Sequence, residues 1–286
     1  MPLLLNTIAE IRNAIRSARE KQSKESTVGF VPTMGALHRG HAALMEAAAN
    51  ECDLIVASIF VNPTQFAPHE DLAKYPRTLE ADLKLCDEFG VDLVFHPSVE
   101  EVYPAGFKTS VVVNEVTQLL EGEHRPTHFE GVTTVVLKLL NMVQPDKAYF
   151  GQKDYQQQLV IRRMVTDLDL PVEIITVPTW RDADGLALSS RNKYLSANER
   201  EQALVLSRTL NETIAKLQAG ESELQKLTIQ ALTTISEAGL IPDYFSIADA
   251  ETLVPLDSPV DEMVLLVAAK CGSTRLIDNM TVRLSQ

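Results

Sequence analysis

Short apolar runs alternate with helical stripes along the first part of the chain. The runs at 27–33, 53–62, 91–97, 147–151 and 172–178 predict buried strands, because they are short, apolar and mostly rich in β-branched residues. Strands that alternate with helices form parallel sheets with helices on both faces. We therefore predict an α/β fold whose ligands bind at the carboxyl ends of the strands.

The helices between these strands are predicted from apolar residues at helical spacing. The first begins at a capping box of Thr7 and Glu10, and its apolar stripe contains Ile8, Ile11 and Ile15. Further helices are predicted over 41–50, 79–89, 132–143 and about 154–167. The very regular apolar face of 132–143 indicates core packing.

The pattern changes after Pro178. Segment 196–220 and the residues up to about 239 predict two helices, and the remainder predicts a small antiparallel sheet. We therefore predict two domains, a parallel-sheet domain over 1–180 and a smaller α+β domain over 181–286.

The composition is that of a soluble globular protein with an acidic surface. The net charge of −13 argues against general nucleic-acid binding, which needs a surplus of Lys and Arg. Cys52, Cys86 and Cys271 form no C-x-x-C pair, so reduced thiols in a cytoplasmic protein are expected rather than zinc or disulfides. No apolar run resembles a signal peptide or approaches the roughly 20 residues of a membrane span.

The first candidate site is the segment from His38 to His41, between a predicted strand and a predicted helix. A helix start offers N–H groups to phosphate, and Gly35 and Gly40 let the backbone approach a ligand. Each imidazole can donate to a phosphate oxygen that gains charge during attack at the α-phosphorus. No glycine-rich GxxxxGK[ST] loop is present. The alternative is that these are two surface histidines in a βα loop.

Two more candidates follow neighbouring strands. Asn62 and Gln65 supply neutral amides suited to the hydroxyl and carboxylate groups of a small polar substrate. Lys153 is placed to neutralise phosphate, and Gln157 lies one turn into the next helix. The alternatives are an ordinary N-P turn and a solvated helix start capped by Asp154.

The last candidate lies near the predicted domain junction. Ser189, Ser190 and Arg191 combine hydroxyls with a guanidinium, which suits a triphosphate. There the second domain would close over the nucleotide and expel water. The alternative is a polar linker that caps the next helix. Arg125 and His128 are weaker candidates for added positive charge, and His69 and His96 have no assigned role.

With these motifs together, the sequence resembles the pantoate–β-alanine ligase family. The resemblance covers nearly the whole chain, with blocks in family order: PTMGALHRGH, SIFVNPTQF, DLAKYPRTLEADL, EGEHRPTHFEGVTTVVLKLLN, PDKAYFGQKDYQQ, DGLALSSRNKYL and LVAAKCGSTRLIDN. The HxGH motif alone would indicate only the broader nucleotidyltransferase superfamily.

The resemblance implies a Rossmann-like first domain, a smaller C-terminal lid domain and a homodimer. It implies an ATP-dependent condensation of (R)-pantoate with β-alanine through pantoyl adenylate. The products are pantothenate, AMP and pyrophosphate, and Mg²⁺ assists. The expected partners are these small molecules and a second copy of the chain, with no nucleic acid and no membrane.

The resemblance also implies roles for individual residues. Those expected to contact ATP are Met34, Gly35, Ala36, Leu37, His38, Arg39, Gly40, His41, Gly151, Gln152, Lys153, Asp154, Trp180, Leu188, Ser189, Ser190 and Arg191. Gln65, Gln157 and Asn62 would bind substrate: Gln65 and Gln157 would hold pantoate, and Gln65 would also lie beside β-alanine. His41 would be the proton donor, with His38, Lys153 and Arg191 also catalytic. No protein ligand to Mg²⁺ is predicted, and Asp82 is a candidate outer-sphere partner.

The proton-donor role of His41 has a physical alternative. Pyrophosphate needs no proton to leave if Mg²⁺, Lys153 and Arg191 carry its charge. His41 would then act mainly as a positioned hydrogen-bond donor to phosphate.

Three other functions compete with the ligase. A nucleotidyltransferase acting on a phosphate ester would need a basic acceptor pocket rather than Gln65 and Gln157. A protein related to aminoacyl-tRNA synthetases is disfavoured by charge and length. A non-catalytic nucleotide sensor leaves Lys153 and Arg191 without a purpose.

Overall fold

The computed structural model describes residues 1–22, 26–66 and 72–284, so His69 lies outside the described residues. The chain divides into two compact units. The first comprises 1–151 and 157–178, and the second comprises 152–156 and 179–286. Each unit is described by itself.

A six-stranded sheet forms the first unit. Its strands are β1 (Leu3–Leu5), β2 (Val28–Thr33), β3 (Leu54–Ile59), β4 (Leu93–Phe95), β5 (Lys147–Gly151) and β6 (Glu173–Val177). They lie in the order β1-β4-β3-β2-β5-β6. Every neighbouring pair is parallel, which confirms the predicted α/β class.

Helices connect these strands. They are α1 (Ile8–Gln22), α2 (Arg39–Glu51), α3 (Leu79–Glu88), α4 (Val99–Val102), α5 (Glu121–His124), α6 (His128–Val143) and α7 (Tyr155–Asp167). The capping box at the start of α1 is confirmed, because Thr7 N–H donates to Glu10 Oε2 at 2.9 Å and Glu10 N–H donates to Thr7 Oγ1 at 3.2 Å.

The core of the first unit lies on both faces of its central strands. All six positions of β3 are buried, as are five of the six positions of β2. Such burial is expected of a parallel strand covered by helices on each side. Fully burying a side chain of the size of Val31 or Ile55 contributes roughly 1.5–3 kcal/mol.

The second unit has two long helices and an antiparallel sheet, as predicted. Its elements are α8 (Ala197–Gln218), α9 (Leu224–Glu237), β7 (Ile241–Asp249), β8 (Glu262–Cys271) and β9 (Thr274–Arg283). The strands pair in the order β7-β8-β9. Helix α8 begins at a second capping box, formed by Ser196 and Glu199.

Several elements differ from the sequence prediction, and three examples follow. Strand β1 is not predicted, because three residues are too few to show a period, and its pairing with β4 is what extends it. The strand predicted over 53–62 ends at Ile59, and Pro63–Gln65 forms a 3₁₀ turn. The helix predicted from about Asp154 begins at Tyr155, after a 3₁₀ turn over Gln152–Asp154.

The topology gathers the candidate segments of the first unit at one edge. Strands β3, β2 and β5 are adjacent and parallel, so the segments that follow them leave the sheet at the same end. The strand order also changes direction between β2 and β5, and ligands of open α/β sheets bind at such a switch point. In the described part of the chain, no helix has the length and apolar character that crossing a membrane requires.

Candidate active site

The loop after β2 has an unusual backbone. Gly35 has φ +79° and Ala36 has φ +51°, both in the left-handed region. A Cβ at Gly35 would lie 3.0 Å from Asp82 Oδ2 and 3.1 Å from Ile59 Cγ2. Glycine is therefore required at 35 both for conformation and for space, whereas Ala36 carries a strain of about 1–2 kcal/mol.

Asp82 compensates this strain. Its side chain is 2% exposed. Oδ2 accepts the N–H of Ala36 at 3.1 Å, and Oδ1 accepts the N–H of Leu37 at 2.8 Å. Thr78 Oγ1 also donates to Oδ1, at 3.2 Å. The carboxylate therefore stabilises the loop, and its role as an outer-sphere partner of Mg²⁺ stays a prediction.

The sequence contains a signal for this role of Asp82. The apolar stripe of α3 contains Leu79 and Cys86, and Asp82 lies at helical spacing from both, on the same face. A carboxylate on an apolar face indicates a buried partner. Burial, assisted by the charge of Asp82, raises the pKa of the Cys86 thiol to about 12.

Both histidines of the HxGH motif cap the start of α2. His38 Nδ1 accepts the N–H of Gly40 at 3.2 Å, and His41 Nδ1 accepts the N–H of His38 at 3.3 Å. The two ring centroids are 4.2 Å apart. Because a backbone nitrogen can only donate, neither Nδ1 carries a proton, and each neutral ring has its proton on Nε2. Each histidine is thus an Nε2–H donor.

The backbone of this loop offers less to phosphate than the sequence suggested. Its N–H groups already bond inside the protein at Gly35, Ala36, Leu37, His38, Gly40 and His41. Helix starts bind anions through N–H groups that lack such acceptors. The N–H groups that the sequence analysis expected to be free at this helix start therefore have partners at these six positions, and the contacts predicted with ATP along Met34–His41 stay predictions.

The turn after β3 brings Asn62 and Gln65 together. Asn62 Nδ2 donates to Gln65 Oε1 at 3.0 Å, and both residues are buried. The backbone oxygen of Gln65 accepts from His128 Nδ1 at 3.1 Å and from Arg125 Nη2 at 3.4 Å. The two weaker cationic candidates thus lie beside the substrate amide predicted at 65.

Helix α6 packs directly on this turn. A Cβ at Gly131 would lie 2.3 Å from the backbone oxygen of Thr64. A glycine inside a regular apolar helix signals such a close approach, and the sequence reasoning did not use that signal. Elsewhere in the unit, Gln157 is half-buried in the first turn of α7, and its neighbour Gln158 accepts from Arg162 and Thr176.

In the second unit, β9 holds the turn that carries Lys153. Asn279 Nδ2 donates to the backbone oxygens of Gln152 at 3.0 Å and Lys153 at 2.7 Å. The Lys153 side chain is 19% exposed, and its Nζ lies 3.9 Å from Asp154 Oδ1. No local pattern identified Asn279, because its contact with this turn spans more than 120 residues of sequence.

The segment from Trp180 to Leu188 folds back on itself. Leu188 N–H donates to the Trp180 oxygen at 3.0 Å, and Gly185, with φ +94°, makes the turn. Arg181 anchors the segment through a bidentate pair with Asp278, at 2.7 and 2.8 Å. The carbonyl of Trp180, a residue predicted to contact ATP, is therefore already an acceptor within the protein.

Ser189 caps the next turn, so the alternative of a capping linker is partly realised. Its Oγ accepts the N–H of Arg191 at 3.2 Å, at the start of a 3₁₀ helix over Ser190–Tyr194. This cap fixes the backbone that carries the Arg191 guanidinium.

Comparisons with known proteins agree over nearly the whole chain. A family model described as pantoate-β-alanine ligase matches residues 3–281. A pantothenate synthetase of Moorella thermoacetica is 52% identical over 285 residues, which is 99% of each chain. One of Stutzerimonas stutzeri is 52% identical over 283 residues, covering 98% of each.

Solved structures show the same similarity. The chain resembles pantothenate synthetase from Thermus thermophilus with a TM-score of 0.88 and 50% identity, covering 97% of this chain and 98% of that one. It resembles the pantoate-β-alanine ligase of Francisella tularensis, complexed with β-γ ATP and β-alanine, with a TM-score of 0.80 and 34% identity. That match covers 98% of this chain and 97% of the other.

Proposed function

This chain belongs to the pantoate–β-alanine ligase family, and we propose from that membership that it joins (R)-pantoate to β-alanine through a pantoyl adenylate. A carboxylate oxygen of pantoate attacks the α-phosphorus of ATP, and pyrophosphate leaves. The amine of β-alanine then attacks the carbonyl carbon, and AMP leaves. The observation that supports this reaction sequence is the pair of Nε2–H donors at His38 and His41, in the loop after the central strand β2.

We propose that these two imidazoles stabilise charge on the phosphate during both steps. Hydrogen-bond donors fixed before the reaction stabilise charge that develops in the transition state. The rings are fixed by the capping box of α2. His41 acts in this proposal as a hydrogen-bond donor, because protonating its Nδ1 would break the bond from the His38 N–H.

Lys153 and Arg191 of the second unit are proposed to supply positive charge to the ATP phosphates. Their backbones are held by Asn279 and by the Ser189 cap, which supports fixed positions for both side chains. The contacts predicted with ATP along Gly151–Asp154, at Trp180 and along Leu188–Arg191 stay predictions. So do the domain boundary at 180, the lid role of 181–286, the homodimer and the cytoplasmic location.

Gln65 and Gln157 are proposed to hold pantoate. Gln65 is supported by its place at the carboxyl end of β3, next to Arg125 and His128. Neutral amides orient hydroxyl and carboxylate groups without the desolvation cost of a buried charge.

Mg²⁺ is proposed to arrive bound to ATP, where it would neutralise phosphate charge. In the described ranges, no group of three or more His, Cys, Asp or Glu side chains could hold a metal ion. Mg²⁺ in nucleotide sites is bound largely through substrate phosphates and waters, so a protein cage is not required.

The proposal is tested by supplying ATP, pantoate and β-alanine and following AMP and pyrophosphate. AMP release that requires both pantoate and β-alanine supports the ligase. Exchange of labelled pyrophosphate into ATP that requires pantoate alone supports the adenylate. A product that retains AMP on a phosphate ester would instead support a nucleotidyltransferase.

A further inference from the structure

Backbone atoms orient the amide of Asn62 in the turn after β3, and Asn62 then orients the amide of Gln65. The N–H of Thr64 lies 3.3 Å from one amide atom of Asn62, and a backbone nitrogen can only donate, so that atom is Oδ1. The carbonyl oxygen of Gly131 lies 3.1 Å from the other atom, which must be Nδ2. Both ends of the Asn62 amide are thus assigned.

Asn62 in turn orients Gln65. Asn62 Nδ2 lies 3.0 Å from one amide atom of Gln65, which must be the acceptor Oε1. The amino group of Gln65, Nε2, therefore faces away from Asn62. Within the described ranges, none of the hydrogen bonds found uses Gln65 Nε2.

Asn62 itself has no donor left for a ligand. Its Nδ2 has two hydrogens, which go to Gln65 Oε1 and Gly131 O. Its Oδ1 accepts from Thr64 Oγ1 at 3.0 Å and from the Tyr103 hydroxyl at 2.9 Å, besides the Thr64 N–H. The side chain is 1% exposed. Burial raises the pKa of Tyr103, which keeps its hydroxyl a donor.

We infer that Asn62 is a positioning residue, which orients the Gln65 amide so that its amino group donates to an acceptor oxygen of the hydroxy-acid substrate. The inference rests on the proposed function, which places pantoate at Gln65. It replaces the substrate contact predicted for Asn62 from the sequence. An outward N–H donor binds a carboxylate, carbonyl or hydroxyl oxygen, and pantoate supplies carboxylate and hydroxyl oxygens.

The test is Asn62→Asp, which keeps the shape but removes both Nδ2 donors. An aspartate oxygen opposite Gln65 Oε1 turns the Gln65 amide over and points Oε1 at the substrate. We expect the KM for pantoate and its Kd from titration calorimetry to rise at least about tenfold, as for a lost hydrogen bond with an unmatched acceptor. The KM for ATP should change less than about threefold. An unchanged Kd for pantoate overturns the inference.

A double-mutant cycle separates positioning from a general structural role. In a Gln65→Ala background, Asn62→Asp should weaken pantoate binding by less than about threefold more, because Asn62 acts through Gln65. Equal losses with and without Gln65 overturn the inference. Tyr103→Phe is the matched control, because it removes one bond to Asn62 Oδ1 and leaves Nδ2 engaged. It should change the Kd by less than about threefold.

Two safeguards keep the outcomes distinct. If Asn62→Asp does not fold by circular dichroism, Asn62→Ala takes its place in the same cycle. The expected loss is then roughly threefold to fivefold, and it should vanish in the Gln65→Ala background. A wild type that binds pantoate but releases no AMP counts against the proposed function alone. A pantoate Kd that does not change when Asn62 is replaced counts against this inference alone.

Discussion

The loop after β2 and the turn after β3 leave the same edge of one parallel sheet, yet they are held in different ways. A buried carboxylate, Asp82, holds the first through two backbone N–H groups and accommodates a left-handed Ala36. A neutral amide, Asn62, holds the second, and α6 packs against it at Gly131. The charged carboxylate of Asp82 accepts two N–H groups of its loop, so the imidazoles are the groups proposed to donate to phosphate. The neutral amide of Asn62 instead orients a second amide, that of Gln65.

The largest expected effect comes from His41, which the first region positions. His41→Ala should lower kcat/KM by about 10²–10³, as the loss of one donor to a charged transition state does. His41→Gln should keep more activity across pH 6–9, a range that includes the ordinary histidine pKa of about 6.5. Glutamine at this position can accept the His38 N–H and still donate. Steady-state AMP release measures both variants.

Equal and near-complete losses in the two His41 variants would contradict the donor role. A pH profile that loses its acidic or basic limb only when His41 is replaced would favour a true proton transfer. Thermal unfolding of each variant serves as the control for folding.

Gly131→Ala should disturb the second region most. Its Cβ would meet the backbone of Thr64, which cannot rotate away, so α6 or the turn must shift. We expect a loss of about 2–3 kcal/mol in unfolding free energy, in the range of overpacked cores. Urea denaturation measures this loss. An unfolding free energy within about 0.5 kcal/mol of the wild type would show that α6 and the turn can move apart at little cost.

Asp82→Asn should disturb the first region less. The amide keeps one acceptor oxygen, so the N–H of either Ala36 or Leu37 loses its partner, at a cost of about 1–2 kcal/mol. We also expect a higher KM for ATP and an unchanged KM for β-alanine. Asp87→Asn, on the same helix but paired with the N-terminus at the surface, is the matched control and should be near neutral. Similar effects of both substitutions would remove the special role of Asp82.

The smallest expected effect concerns the crowding at Gly35. Gly35→Ala and Gly90→Ala both place alanine at positive φ, but a Cβ at Gly90 meets nothing within 4 Å. Both variants should lose about 1 kcal/mol of unfolding free energy because of backbone strain. Gly35→Ala should lose a few tenths more from contact with Asp82 and Ile59. Denaturation of the two variants isolates the contribution of crowding. A smaller loss of unfolding free energy at Gly35 than at Gly90 would contradict this prediction.

Much of the fold follows from local patterns in the sequence. The strands over 28–33 and 147–151 are recognisable as short apolar runs, and the helix over 128–143 by the regular spacing of its apolar residues. The short strand β1 is not recognisable in this way, because its partner β4 lies about 90 residues away and only that pairing orders it. Element ends likewise depended on contacts, as the early end of β3 at Ile59 shows.

The residues of the candidate site also divide into those recognised from the sequence and those whose role depends on distant contacts. The motif from His38 to His41 and the amide Gln65 were found as residue types after predicted strands. The tertiary structure showed that Asp82 and Asn62, candidates for other roles in the sequence, hold these groups through bonds to the loop and to Gly131 that join distant parts of the chain. It also shifted the groups proposed to donate to phosphate in the loop after β2 from the backbone to the imidazole side chains.

The sequence by itself determined most of the strands and helices, the family, and the chemical groups available for an adenylate-forming reaction. These follow from local periodicity and from residue types, which need no knowledge of distant contacts. Only the tertiary structure decided which nitrogen of each histidine carries the proton and which end of the Gln65 amide faces outward. Hydrogen-bond direction depends on the partner atom. Even where that partner lies in the same loop, as in the capping box of α2, the folded backbone has to bring it within reach.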